Sequence, residues 1–154
     1  MPNSLALDAN LLVLLIVGQV DRSWIGRDRR LRNYGVGDFD LLTKLVSGSR
    51  SLIITPNFAT EVANLVVYGV DDPLRAQFLC VLGVISESTD ERYRKTRDVA
   101  GRAEFARLGL TDAVWLSVLD SSSTLLTDDT DLFLAALANG LDAVRFADLR
   151  AHSS

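Results

Sequence analysis

The stretch SLALDAN at residues 4–10, followed directly by LLVLLIV, constrains this chain most. A short apolar run at 5–7 ends on Asp8, and the chain then enters an apolar segment of helical length. A buried strand that stops on a carboxylate and turns into a helix places that carboxylate at the carboxyl edge of a parallel sheet. Open α/β sheets bind their ligands at that edge. Whether further acids reach the same edge decides what chemistry it can support.

The following segments alternate in the manner of a doubly wound sheet. Residues 4–8 predict the first strand and 9–20 a helix that is apolar nearly all round, hence central and buried. Residues 19–37 break the pattern: Arg22, Arg27, Arg29, Arg30 and Arg32 stand among Trp24, Tyr34 and three glycines, which reads as a loop or short irregular excursion. Asp38 is expected to cap a second helix to about residue 46, and SLIIT (51–55) to form the second strand. Thr55 caps a third helix, with Pro56 at its first position, running to about 68. Phe58, Val62, Leu65 and Val66 face inward there, while Glu61 and Asn64, three apart, share a face.

Asp72 and Pro73 start a fourth helix ending near 85. Ser88 with Glu91 has the spacing of a capping box, which predicts a polar fifth helix over 89–108. Gly109 ends it, and Thr111 is expected to cap the next, with Asp112 in its first turn and Trp115 in the core. STLLTDD (123–129) reads as the third strand. Asp131 with LFLAALANG forms the last helix, stopped by Gly140, and DAVRFADL (142–149) a final strand. Strands alternating with helices over short links call for a parallel sheet covered on both faces, here one domain over 1–150 with a short tail at 151–154.

Composition narrows the function classes. With 154 residues, 48% of them hydrophobic, the chain can fill one core. A formal net charge of −4 excludes binding nucleic acid by bulk charge, so any such contact must use local basic surface. The single cysteine, Cys80, lies in FLCVLGVI and is expected to be a buried thiol, which fits a reducing, cytoplasmic setting. The apolar run at 11–17 is far short of the ~20 residues that span a bilayer, and no basic segment precedes it as in a signal peptide.

Four acids are candidates for one site. Asp8 and Asp129 close two strands at the same edge, Glu61 lies one to two turns into a helix leaving a strand end, and Asp112 begins a helix. Taken singly, each has an ordinary structural reading, as a helix cap, a turn residue or a solvated side chain. Crowded together within ~4 Å, carboxylates repel by about 4 kcal/mol per pair at an effective dielectric near 20. Such a cluster persists if it shares protons or holds cations. All-oxygen donors select magnesium or manganese, and with only His152 and Cys80 in the chain the set points away from zinc.

LDAN, ITPNFATEVANLV, LGLTDAVWLSVL and LLTDDTDLFLAALANGLDAVRF together closely resemble the four motif regions of PIN domains, over about residues 4–149. The resemblance implies a three-layer α/β/α PIN-like fold with a central, mainly parallel sheet flanked by helices. It implies a metal-dependent endoribonuclease using Mg2+ or Mn2+, in the branch of VapC-type toxins, with RNA as substrate, a cognate antitoxin protein as partner and a homodimer as the assembly. The implied catalytic acids are Asp8, Glu61, Asp112 and Asp129. Asp8, Asp112 and Asp129 would hold metal, joined by Asp131. Asn10, Thr127 and Asn64 would orient those ligands from behind, and Asp128 falls at a position that varies in the family.

An acidic pocket repels RNA until metal fills it, so basic surface must hold the strand. Arg22, Arg27, Arg29, Arg30 and Arg32 with Trp24 are the first candidates, and Arg92, Arg94, Lys95 and Arg97 the second. The competing readings are a PIN scaffold that binds RNA or protein without cutting, and a non-toxin RNA-processing nuclease. A receiver-type phosphoacceptor would need a lysine at a late strand end, but Lys44 and Lys95 both read on helices. No G-x-G-x-x-G follows a strand and no P-loop lysine is present.

Overall fold

The computed structural model describes residues 3–152. Strand β1 (Ser4–Leu7) lies parallel to β4 (Ser123–Thr127) with Leu7 opposite Leu126, and β4 lies parallel to β5 (Asp142–Arg145). On the other side of β1, a single parallel bridge from Leu5 to Leu52 adds β2 (Ile53–Ile54), which pairs in parallel with β3 (Asp90–Glu91). The spatial order is therefore β3-β2-β1-β4-β5. The chain winds outward from β1 in one direction, then crosses back and winds outward in the other. The topological switch point falls between β1 and β4.

Helices cover the sheet in a three-layer α/β/α arrangement. Helix α1 (Ala9–Val20) is buried from Leu11 to Gly18, as its all-round apolarity requires. It packs against α2 (Val36–Gly48), α3 (Pro56–Val67) and α4 (Leu74–Glu87). The short α5 (Thr96–Val99) and α6 (Ala103–Leu108) pack on α7 (Leu110–Val118), which also meets α3 and α8 (Thr130–Ala138). Helix α9 (Phe146–Ala151) follows β5. Trp115, Phe78 and Phe146 are the largest fully buried side chains. No helix among the described residues is long and apolar enough to cross a membrane.

Helices α1 and α2 approach closely at Gly18, where an added Cβ would lie 2.2 Å from the ring of Phe39 on α2. Phe39 is itself buried. The Gly18→Ala variant should therefore lose about 1–3 kcal/mol from overpacking, outweighing the ~1 kcal/mol gain in helix propensity. The midpoint of urea unfolding measures it.

Several sequence expectations are corrected. Residues 89–108 do not form one helix. The Asp90 N–H donates to the Leu52 carbonyl (2.7 Å) and the Arg92 N–H to the Ile54 carbonyl (2.8 Å), so this segment completes the sheet instead. Ser88 closes α4 instead of opening a new helix, its hydroxyl donating back to the Ile85 carbonyl. Residues 142–149 divide into β5 and α9. Asp38 is not the cap of α2 but its third residue, accepting the Gly35 N–H at 2.7 Å. Thr111 is likewise inside α7, which starts from Gly109 at φ 90°.

Cys80 is exposed, not buried. Phe78 and Leu82, four apart, are the residues of α4 that enter the core, which turns Cys80 about 200° away from Phe78.

Candidate active site

Asp8 follows the last residue of β1 and caps α1, its Oδ1 accepting the Leu11 N–H at 3.0 Å. Its Oδ2 accepts the Thr127 hydroxyl at 2.7 Å and the Asp128 N–H at 2.9 Å. The end of β1 is thereby tied to the end of β4 across the switch point. Thr127 is fully buried, and its Oγ1 also accepts the Asp129 N–H at 2.9 Å. Asp129 caps α8 through Leu132, with its Oδ1 at 3.0 Å from that N–H. Both acids are caps, as their ordinary reading has it, and both also face one hollow.

That hollow has a volume of about 480 Å3 and is walled by Asp8, Glu61, Asp112, Asp128 and Asp129, with Trp115 in its wall. Four elements deliver the acids: the ends of β1 and β4, the second turn of α3 and the first turn of α7. Burial pushes the Asp112 carboxyl up to about 6, with further pushes from Asp129, Glu61 and Asp8 in that order. Burial also raises Asp8 above the usual aspartate range, against the three hydrogen bonds that favour its charged form. The mutual repulsion expected of converging acids is present.

Asp112 carries a testable consequence. Its folded-state pKa lies above its ordinary 3.8, so the fold binds more protons than the unfolded chain between those values. Stability from this group is complete below pH 3.8 and is lost as pH rises through about 6. A shift of this size corresponds to at most about 3 kcal/mol, which solvent screening of a partly exposed group reduces to about 1 kcal/mol. Asp112→Asn should thus raise the urea midpoint at pH 8 in EDTA and leave it unchanged at pH 3.5 or below, where Asp112 is already neutral.

Two wall residues were not counted among the site acids or their supports. Asp128 accepts the Tyr34 hydroxyl at 3.1 Å and the Ala147 N–H at 2.8 Å, bracing the irregular segment and α9 against the end of β4. Burial, then the charges of Asp8 and Asp128, hold the Tyr34 phenol well above its ordinary value, so it stays a donor. The first aspartate of TDD, directly before Asp129, is the one signal in the sequence for this role.

Asn10 lines the hollow. Asn64 instead lines an adjoining one, together with Glu61 and Thr111. Asp131 is exposed in the first turn of α8 and lies outside the acidic wall. Among the arginines, Arg22 is paired with Asp40 at 2.7 Å, and Arg30 is bound by Asp28 and the Leu65 carbonyl. Arg27, Arg29 and Arg32 are exposed. Arg27 sits 5.5 Å from the centroid of Trp24, which is only half-buried. Arg92 is also taken: it bonds the Val118 carbonyl (2.8 Å), Asp90 and Ser123 Oγ, fastening β3 to the end of α7.

The donors suit a hard divalent cation in kind. A carboxylate offers about four acceptor sites. Asp8 uses three and Asp129 one, whereas Glu61 and Asp112 accept no hydrogen bond from the described residues. Among the described residues, however, no three His, Cys, Asp or Glu side chains are grouped as a ready-made metal cage.

Fold and site together define an α/β protein with an acidic hollow at the switch point of a parallel sheet. Compared with known protein families, curated proteins and solved structures, the chain matches none.

Proposed function

We propose that this chain is a Mg2+- or Mn2+-dependent endoribonuclease of the PIN type, hydrolysing phosphodiester bonds of RNA in the acidic hollow. The observation that carries this reading is the meeting of Asp8, Glu61, Asp112 and Asp129 in one concavity between β1 and β4. Five carboxylates in a single wall disfavour a polyanionic substrate unless positive charge accompanies it, and oxygen donors alone favour a hard divalent ion.

Asp8, Asp112 and Asp129 would hold the ion, with Glu61 at the rim. A divalent ion bound there would lower the pKa of a bound water and stabilise negative charge on the phosphate. The chain's own contribution is orientation. Leu11, Thr127 and Asp128 fix Asp8 from three directions, so it presents one remaining acceptor site to the hollow. Thr127 aligns Asp8 and Asp129 through one hydroxyl. Tyr34 and the Ala147 N–H hold Asp128 back, which keeps its charge in the wall without making it a free ligand.

The test uses the purified chain with end-labelled single-stranded RNA. Cutting is expected in Mg2+ or Mn2+ and not in EDTA; cutting that persists in EDTA overturns the metal-dependent reading. RNA bound but never cut makes the chain a binding module on the same scaffold. The resemblance extends the proposal to a toxin restrained by an antitoxin that covers the hollow, acting as a homodimer. Expression of the chain alone should then arrest growth, and co-expression of a neighbouring open reading frame should relieve it. Normal growth would leave an RNA-processing nuclease.

A further inference from the structure

A separate hollow of about 490 Å3 lies between the arginine-rich excursion and the turn joining α3 to α4. Trp24, Arg27, Arg29 and Tyr68 are among its walls, and it shares Arg30 with the acidic hollow. Tyr68 closes α3 just before Gly69 at φ 71°, and its side chain is 83% exposed although the ring is large and apolar. The side chain of Arg29 makes no hydrogen bond or ion pair within the described residues, and Arg27 lies over the Trp24 ring with only the exposed Asp21 carboxylate near its charge. Asp28 is neutralised by Arg30. Asp71 and Asp72, on the same turn as Tyr68, are not part of the walls.

Flat aromatic faces beside unpaired guanidinium groups match a nucleobase beside its phosphates. The chain has a formal net charge of −4, yet five arginines fall within residues 22–32. That local excess of positive charge adjoins, through Arg30, a wall of carboxylates that no polyanion would enter unaided. We propose that this second hollow is a nucleotide subsite for single-stranded RNA. A base next to the scissile phosphate stacks on Tyr68 against the Trp24 wall, and Arg27 and Arg29 take the adjoining phosphates. The subsite rests on the ribonuclease reading, since the strand is anchored here so that its neighbour reaches the acids. A protein partner could also use aromatic and arginine side chains, but the continuity with the acidic hollow favours a single strand running through both.

The experiment measures binding of fluorescein-labelled single-stranded RNA of about 12 nucleotides to the full chain, with a duplex of the same sequence alongside. Tyr68→Ala is expected to weaken single-strand binding about tenfold and leave the duplex unaffected, because only an unpaired base can stack. Tyr68→Phe, which keeps the ring, should restore it. Arg29→Ala should flatten the slope of log affinity against log salt by about 0.7. An unchanged Kd for Tyr68→Ala overturns the proposal, as does an equal loss on duplex and single strand. If the variant also cuts RNA with unchanged KM, the nuclease stands and the aromatic hollow passes to a protein partner. If RNA is bound in a Tyr68-dependent manner but never cut, the hollow stands and the nuclease reading fails.

Discussion

Asp8→Asn should lower cleavage of single-stranded RNA in magnesium about a thousandfold, the effect of losing several kcal/mol of charge stabilisation in the transition state. The fold should survive the change. Asn keeps one acceptor oxygen, which serves the Thr127 hydroxyl and the Asp128 N–H that share Oδ2 in the native chain. Its amide group then faces the Leu11 N–H, and losing that cap costs about 1 kcal/mol. Removing a charge that burial disfavours offsets part of the loss. Melting followed by circular dichroism should therefore shift by no more than a few degrees while activity disappears. Retained cleavage would remove Asp8 from the chemistry, and a collapsed melting curve would make the loss merely structural.

Trp115→Ala should produce the largest loss of stability, about 3–5 kcal/mol, a substantial part of what holds a domain of this size together. Trp115 is 1% exposed and packs its ring on Phe58 at 4.9 Å between centroids. Phe58 is on α3, one turn before Glu61, and Trp115 is on α7, three residues after Asp112. The aromatic pair packs together the two helices that carry these acids. The variant should lose cleavage even under conditions where it is fully folded, because a cavity at this point lets the two helices settle differently. Trp115→Phe retains a ring and should recover most of both properties. Urea unfolding at low temperature, paired with cleavage by the folded fraction, separates the two effects. Full activity in a destabilised but folded Trp115→Ala protein would show that the link does not position the acids.

The parts of this protein legible in the sequence are those whose signal is local. The helix at Ala9–Val20 was predicted with its observed bounds, because a continuous apolar run after a capping aspartate has few alternatives. Thr55 and Pro56 likewise marked the start of α3 correctly, since a cap and a proline at the first position act within one turn. The failures occurred where distant partners outcompeted local preference. Residues 89–108 carry a plausible capping box and a polar helical pattern, but the backbone of 90–92 gains more by pairing with Leu52 and Ile54. Cys80 sits in an apolar run, yet only the packing of Phe78 and Leu82 decides which way that helix turns.

The site shows the same division. Residue types and their places near element ends single out Asp8, Glu61, Asp112 and Asp129: strand-to-helix turns carry Asp8 and Asp129 to the sheet edge, whereas the turn at Gly109 and the second turn of α3 bring in Asp112 and Glu61. Asp128, Tyr34 and Arg30 enter the walls through contacts across 19 to 120 positions of the chain, such as those of Asp128 with Ala147, Tyr34 and Asp8. Asp131 and Asn64 left it because a helix turn carried them past the rim. Alternation and capping, interactions between near neighbours, thus determined the elements and the edge at which the acids gather. Strand order, the depth of Asp112 and the bracing of Asp128 were decided by tertiary packing, because desolvation and repulsion depend on which surfaces meet.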